Sequence, residues 1–182
     1  MSVPPSLPQV KVLYDEHHIA IRNRELAEQI AGLKLDKLLA VAILKGSFMF
    51  AADLARALHR AGLAPEMEFM HLASYRKATI SSGQVDILRD VESDVAGRDV
   101  LLIDDILESG RTLAFAKDLL MARGARQVLV CVLLEKPVKR EVQITADFVG
   151  FDCPDLFVVG YGMDIAHAFR QLPFIGLVEG VS

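Results

Sequence analysis

Asp104 and Asp105 stand just ahead of the run Ser109-Gly110-Arg111-Thr112. Two adjacent carboxylates are acceptor-only groups, suited to a pair of sugar hydroxyls or to a hydrated divalent cation. The four residues that follow can offer a row of backbone N–H groups at a helix N-terminus. Two hydroxyls lie beside them, and a glycine lets the backbone come close to a ligand. Aligned donors at the positive end of a helix dipole make an anion site. Phosphate donors on one side and hydroxyl acceptors on the other form a cup that fits a ribose 5-phosphate.

Such a cup needs a strand behind it and a helix in front. The run Asp99 to Ile103 reads as a buried, parallel strand, and Thr112 to Arg123, stopped by Gly124, as a helix with apolar residues at helical spacing. Their joint lies at the carboxyl end of a strand, where open α/β sheets bind ligands. The same alternation runs through the rest of the chain. Asp15 to Ala31 reads as a helix with Ile19, Leu26 and Ile30 facing inward, Lys37 to Leu44 as a buried strand, and Phe48 to Ala61 as a helix closed by Gly62. Glu66 to Ala73 alternates like a strand, Ser74 to Gly83 is a polar excursion, Val85 to Leu88 resumes strand character, and Gln127 to Leu134 is a further strand. This pattern predicts an α/β fold with a mainly parallel sheet flanked by helices. From Pro137 onward the pattern breaks into short strands and loops.

The 182 residues, 52% of them hydrophobic, suffice for one domain with a substantial core. We read a single domain over 1–182, with a core at about 35–136 and a small hood built from the N-terminal segment and about 137–182. The net charge of −4 argues against general electrostatic binding to nucleic acid or to an anionic membrane, so any phosphate site must be local and geometric. No apolar run approaches the roughly 20 residues that span a bilayer. Met1 to Pro8 has neither the basic region nor the apolar core of a secretion signal, and a cytoplasmic location is expected. Cys131 and Cys153 lack metal-type spacing, which predicts two reduced thiols without zinc or a disulfide. The five histidines likewise have no partner at ligand spacing.

The Asp104 to Thr112 segment resembles the signature of the type I phosphoribosyltransferases, which bind phosphoribosyl pyrophosphate at such a loop. Further segments look, in order, like those of the bacterial hypoxanthine-guanine branch. They are Leu44-Lys45-Gly46-Ser47, Ser74-Tyr75, Leu134-Glu135-Lys136-Pro137, Asp147 to Phe151, Pro154 to Asp164 and Phe169-Arg170. The resemblance covers the chain from about Leu13 onward. It implies the type I phosphoribosyltransferase fold, with the hood over a base site.

The activity implied is purine salvage, in which the 5-phosphoribosyl group passes from phosphoribosyl pyrophosphate to hypoxanthine or guanine with Mg²⁺. In that register Asp104 and Asp105 hold the ribose 2- and 3-hydroxyls, and Ser109, Gly110, Arg111 and Thr112 hold the 5-phosphate. Lys45 and Gly46 bind pyrophosphate through main-chain N–H groups, often across a cis peptide between the positions of Leu44 and Lys45. Ser74 and Tyr75 open a lid, Asp164 supports Mg²⁺, and Arg170 pairs with the leaving pyrophosphate. Lys136 donates to the 6-oxo group of the purine, Phe157 stacks on its ring, and Val158 offers a backbone carbonyl. A donor at Lys136 selects oxopurines over adenine.

Two positions depart from the family pattern. Ser47 stands where many relatives have Gly, and Glu108 stands where the family usually has the Asp proposed to take the proton from purine N7. Glu keeps the acid chemistry on a longer arm, so Glu108 is the expected general base, and a brace for the turn is its alternative role. The resemblance further implies a homodimer or homotetramer.

Rival readings of the acidic pair fit less well. Asp104-Asp105-Ile106-Leu107-Glu108 formally matches the DDxxE metal motif of isoprenoid synthases, but that motif needs a helix where this chain has a strand. A receiver domain lacks the Ser-Gly-Arg-Thr turn. A xanthine-preferring relative and a nucleotide-sensing regulator that binds RNA or DNA stay open, the latter disfavoured by the lack of a basic stripe.

Overall fold

In the computed structural model, which describes residues 9–74 and 85–178, the strands divide between two sheets. The larger has six strands in the order β4 (Val85–Arg89), β3 (Glu66–Ser74), β2 (Leu39–Leu44), β5 (Asp99–Leu107), β6 (Gln127–Glu135) and β7 (Phe148–Asp152). Only β3 and β4 pair antiparallel; the other neighbours run parallel. The smaller sheet joins β1 (Val10–Tyr14), β9 (Ile175–Val178) and β8 (Val158–Val159), all antiparallel.

Continuous apolar runs let the central strands bury both faces. Along β2, Ala40 and Ala42 join the core under α1 (Glu16–Ala31) and α2 (Phe48–Arg60), where they meet Leu26, Ile30, Phe50, Leu54 and Leu58. The alternate residues Leu39, Val41 and Ile43 join the opposite core, against Leu113, Ala116 and Leu120 of α3 (Arg111–Ala122). This is the two-residue period of a strand, with a helix layer for each face. Asp15 caps α1 by accepting from the His18 N–H at 2.9 Å.

Most element ends shift by one or two residues from the sequence reading, and three differences bear on the site or the sheet. The strand expected to stop at Ile103 continues to Leu107, because β6 runs beside it as far as Glu135 and supplies ladder partners, with Asp104 opposite Val132 and Leu107 opposite Glu135. Helix α3 begins at Arg111 rather than Thr112 and ends one residue early, a shift of the size expected at any helix end. Phe148–Asp152, read as part of the hood, is hydrogen bonded to β6 as an edge strand of the large sheet. It is short and follows a stretch without strand pattern, so nothing local signals its partner.

The sheets are tied by β1 and α1. Tyr14 stacks on Phe151 with ring centroids 4.1 Å apart and donates from its hydroxyl to Asp152 O at 2.7 Å. Arg22 donates to the carbonyls of Val149 and Gly150, both at 2.7 Å. Among the described residues no helix is long and apolar enough to cross a bilayer.

Candidate active site

Parallel pairing brings the carboxyl ends of β2, β5 and β6 to one edge, and most of the chemistry-bearing residues sit there. After β2 the chain turns through Lys45 and Gly46 into α2, and the Leu44–Lys45 peptide is cis. Ser47, which departs from the glycine that the resemblance leads one to expect, is buried and donates its hydroxyl to Ile43 O at 2.5 Å, so its extra polar group is satisfied within its own turn.

Gly46 is fixed by closeness. A Cβ there would lie 1.7 Å from Oδ2 of Asp105, and a Cβ on Gly162, at φ +101°, would lie 2.1 Å from Gly46 O. The β2 turn, the acidic pair of β5 and the 160–163 turn are therefore in direct contact. Past that turn, Arg170 donates from Nη1 to Gly162 O and pairs through Nη2 with Oδ1 of Asp164, both at 2.7 Å. The other Asp164 oxygen accepts from the His167 N–H at 2.7 Å. Lys45, Gly46, Asp105, Asp164 and Arg170 form one neighbourhood, drawn from three separate stretches of the chain.

The Gly160–Met163 turn is anchored from behind. The Tyr161 hydroxyl donates to Asp53 at 2.7 Å and accepts from Asn23 at 2.9 Å, which ties it to both α1 and α2. Burial, reinforced by the Asp53 bond, pushes this phenol far above its ordinary value. Nothing in the local sequence points to this triad, since Tyr161 lies more than one hundred residues from both of its partners.

Asp104 is buried, and Asp105, on the opposite side of the strand, is half-buried. Each carboxylate accepts from the next backbone N–H at 2.9 Å. Burial raises both above the ordinary carboxylate range. The neighbouring Asp105 charge pushes Asp104 further up, whereas Asp105 is partly offset by bonds from Asp104 and the backbone and by the Arg170 charge. An acidic pair whose carboxyls burial holds above their ordinary range is poised for a ligand that brings hydroxyl donors.

Beyond Leu107 the chain passes Glu108 and Ser109 into Gly110, which caps α3 at φ +83°. The first bond of the helix runs from Ala114 N–H to Gly110 O at 2.9 Å, so the N–H groups of Arg111, Thr112 and Leu113 precede the helical ladder. Ser109 Oγ accepts weakly from Arg111 N–H at 3.4 Å, and the Arg111 side chain pairs with Glu141.

Lys136, at the end of β6, is only 7% exposed. Its ammonium donates to Leu156 O at 2.6 Å and stands 3.9 Å from Oε1 of Glu108. Lys139 also stands 3.9 Å from Glu108 and pairs with Asp155 at 2.8 Å. The 153–157 loop that carries Phe157 is thus held to the Glu108 turn through two lysines. Phe157 is 38% exposed, leaving ring surface free to meet a ligand. The neighbouring Val158 is buried in β8, opposite Leu177. Ser74 ends β3, and Tyr75 lies outside the described residues.

Sequence reasoning missed Lys139, Arg140, Glu141 and Asp155. The charged run Lys139-Arg140-Glu141 ahead of a loop was the available signal, and it reads equally well as a solvated surface.

A strand edge with a helix start for phosphate and an acidic pair for a sugar is the architecture of an enzyme that handles phosphoribosyl groups. The chain belongs to the phosphoribosyltransferase family: the model of the phosphoribosyl transferase domain matches residues 9–166. Within it, the chain is 42% identical over 172 residues to the hypoxanthine phosphoribosyltransferase of Buchnera aphidicola, spanning 93% of this chain and 96% of that protein. It is also 42% identical over 170 residues to the hypoxanthine-guanine phosphoribosyltransferase of Bacillus subtilis, covering 93% of each. The Trypanosoma cruzi hypoxanthine phosphoribosyltransferase, solved in complex with the product IMP, superposes with a TM-score of 0.87 at 34% identity and 98% coverage of both chains.

Proposed function

We propose that this chain transfers the 5-phosphoribosyl group from phosphoribosyl pyrophosphate to hypoxanthine or guanine, giving IMP or GMP and pyrophosphate in purine salvage. The observation that carries the reading is a single run along β5 and its turn. Asp105 packs on the Lys45–Gly46 turn at one end, Glu108 faces Lys136 in the middle, and the α3 start lies at the other end. A pyrophosphate, a ribose, a base and a 5-phosphate each meet suitable chemistry in that order.

In this reading the N–H groups of residues 109–112 hold the 5-phosphate, and that binding energy orients the reacting carbon. Asp104 and Asp105 accept from the ribose 2- and 3-hydroxyls. Lys45, Gly46 and Arg170 take up the charge of the departing pyrophosphate, Arg170 through a planar donor fork. Phe157 stacks on the purine, and the Val158 carbonyl accepts from its edge. Lys136 spends one of three N–H donors on Leu156 O and keeps two for the 6-oxo group. A 6-amino group offers no matching acceptor, which selects against adenine. Glu108 takes the N7 proton as the glycosidic bond forms. Ser74 and Tyr75 begin a lid that excludes water, and the small sheet serves as the hood over the base.

The family implies a divalent cation, and Mg²⁺ is the ion we propose. Among the described residues no group of three or more His, Cys, Asp or Glu could hold a metal, and of the Asp164 oxygens one already accepts a hydrogen bond and the other is paired with Arg170. That donor set suits an ion that arrives on the pyrophosphate and keeps most of its water, with Asp164 its carboxylate support. Bound there, it would neutralise pyrophosphate charge. A cytoplasmic homodimer or homotetramer completes the reading.

The test is nucleotide formation from phosphoribosyl pyrophosphate and Mg²⁺ with hypoxanthine, guanine, xanthine and adenine offered separately. Turnover of hypoxanthine or guanine without adenine is expected. Turnover of adenine alone, or of none, would sink the assignment.

A further inference from the structure

We propose that Arg140 is a positioning residue that sets the 107–111 turn for the 5-phosphate, acting through a strap of residues 139–144. The proposal rests on the phosphoribosyl reading above. The strap leaves the short 3-10 turn Pro137–Lys139 and runs alongside the phosphate turn. Arg140 spreads its guanidinium over three acceptors: Nη1 reaches Ile144 O at 2.7 Å, and Nη2 reaches Glu135 Oε1 at 3.0 Å and Leu107 O at 3.5 Å. The N–H groups of Glu141 and Val142 both donate to Ser109 O, at 2.9 and 3.1 Å, and the Glu141 carboxylate pairs with Arg111. Gly110 is walled in by the same segment. A Cβ there would lie 2.7 Å from Ile144 Cγ2, 3.0 Å from Val142 O and 3.3 Å from Arg140 Cδ.

A phosphate site made of backbone N–H groups works only if the peptide planes are set before the ligand arrives. A left-handed glycine ahead of a helix has many alternatives to its observed shape. The strap narrows them: it occupies the Ser109 carbonyl twice and packs against the face of Gly110 that a side chain would fill. Arg140 is the centre of that arrangement, since one side chain joins the start of the turn, the far end of the strap and the end of β6. Among the described residues its buried Nε has no hydrogen-bond partner. The guanidinium is therefore placed by its two outer nitrogens, in a fork that lysine cannot reproduce.

The test uses Arg140→Met and Arg140→Lys in the full chain. Dissociation constants are measured for ribose 5-phosphate and for pyrophosphate as separate probes, together with KM for both substrates. Arg140→Met is expected to weaken ribose 5-phosphate about tenfold. KM for phosphoribosyl pyrophosphate should rise by a similar factor, with pyrophosphate binding and the KM for hypoxanthine little changed and Arg140→Lys recovering little. Unchanged ribose 5-phosphate binding overturns the proposal. Equal weakening of both probes also overturns it, because that marks general loosening. Should the Arg140 variants fail to fold, Glu141→Gln releases Arg111 while keeping the backbone donor to Ser109. It should weaken ribose 5-phosphate alone, by about two- to fivefold, and no change overturns the strap. A wild-type chain that binds neither probe overturns the phosphoribosyl reading, and this proposal with it.

Discussion

Glu108 and the two lysines beside it set the residue-scale expectations. As the group proposed to take the N7 proton, it should be intolerant of an isosteric amide. Glu108→Gln is expected to lower kcat by about 10²–10⁴-fold with little change in Tm, measured by steady-state turnover and thermal unfolding. Near-normal turnover would reduce Glu108 to a brace for the turn. Asp104 makes an opposite bargain between folding and function. Burial and Asp105 hold its folded pKa above the unfolded value, so the folded chain retains a proton that the unfolded chain has released. The resulting penalty is absent below about pH 4 and grows as pH rises through the window between the two values. Asp104→Asn should therefore raise the ligand-free Tm at pH 7 by about 2–6 °C, lose that advantage near pH 4, and cut turnover. A Tm unchanged at pH 7 would contradict the assignment of the penalty to this pair. The acidic pair, the glycine turn and Glu108 could be found in the sequence because they are contiguous. Arg140 and the Asn23–Tyr161–Asp53 triad could not, because their partners lie on other elements.

At the scale of elements, β5 carries the site at one end and its anchor at the other. Asp99 is fully buried where the strand begins, accepting from Asp36 N–H at 2.6 Å, Arg126 Nε at 2.6 Å and Gln127 Nε2 at 3.0 Å. The Arg126 bonds hold its carboxyl below the usual range. Its stabilisation is present above the unfolded value near pH 4 and is lost as pH falls through the lower folded value. Asp99→Ala should lower Tm by about 3–8 °C at pH 7, and less at pH 3, while leaving KM for both substrates close to wild type in the folded fraction. The strand-helix alternation was legible because apolar runs and glycine stops are local signals. The extension of β5 through two aspartates was not, because only the neighbouring β6 ladder explains why charged residues continue a strand. The membership of β7 in the large sheet was hidden for the same reason.

For the molecule as a whole, the ligand-free state holds an acidic pair with raised pKa values beside a start of α3 suited to anions, so substrate should stabilise it well. Phosphoribosyl pyrophosphate with Mg²⁺ at one hundred times its dissociation constant is expected to contribute about 2.7 kcal/mol, seen as a rise in Tm of about 5–10 °C. Asp104→Asn should show a smaller rise. No shift with the wild-type chain at saturating ligand would count against the site. The close approach of Gly162 to Gly46 bears on how such a chain can change over evolutionary time. At that end Gly162 meets the backbone of Gly46, and Gly46 meets the Asp105 carboxylate, so a side chain at either glycine would be a wedge. Mutation has almost nothing to vary there without parting the two turns. The opposite end is made of Lys136, Phe157 and the half-exposed loop before β8, where exchange of one side chain for another leaves the frame standing. New substrate preferences should therefore arise by drift at the end proposed for the base, while the end proposed for pyrophosphate is inherited nearly intact.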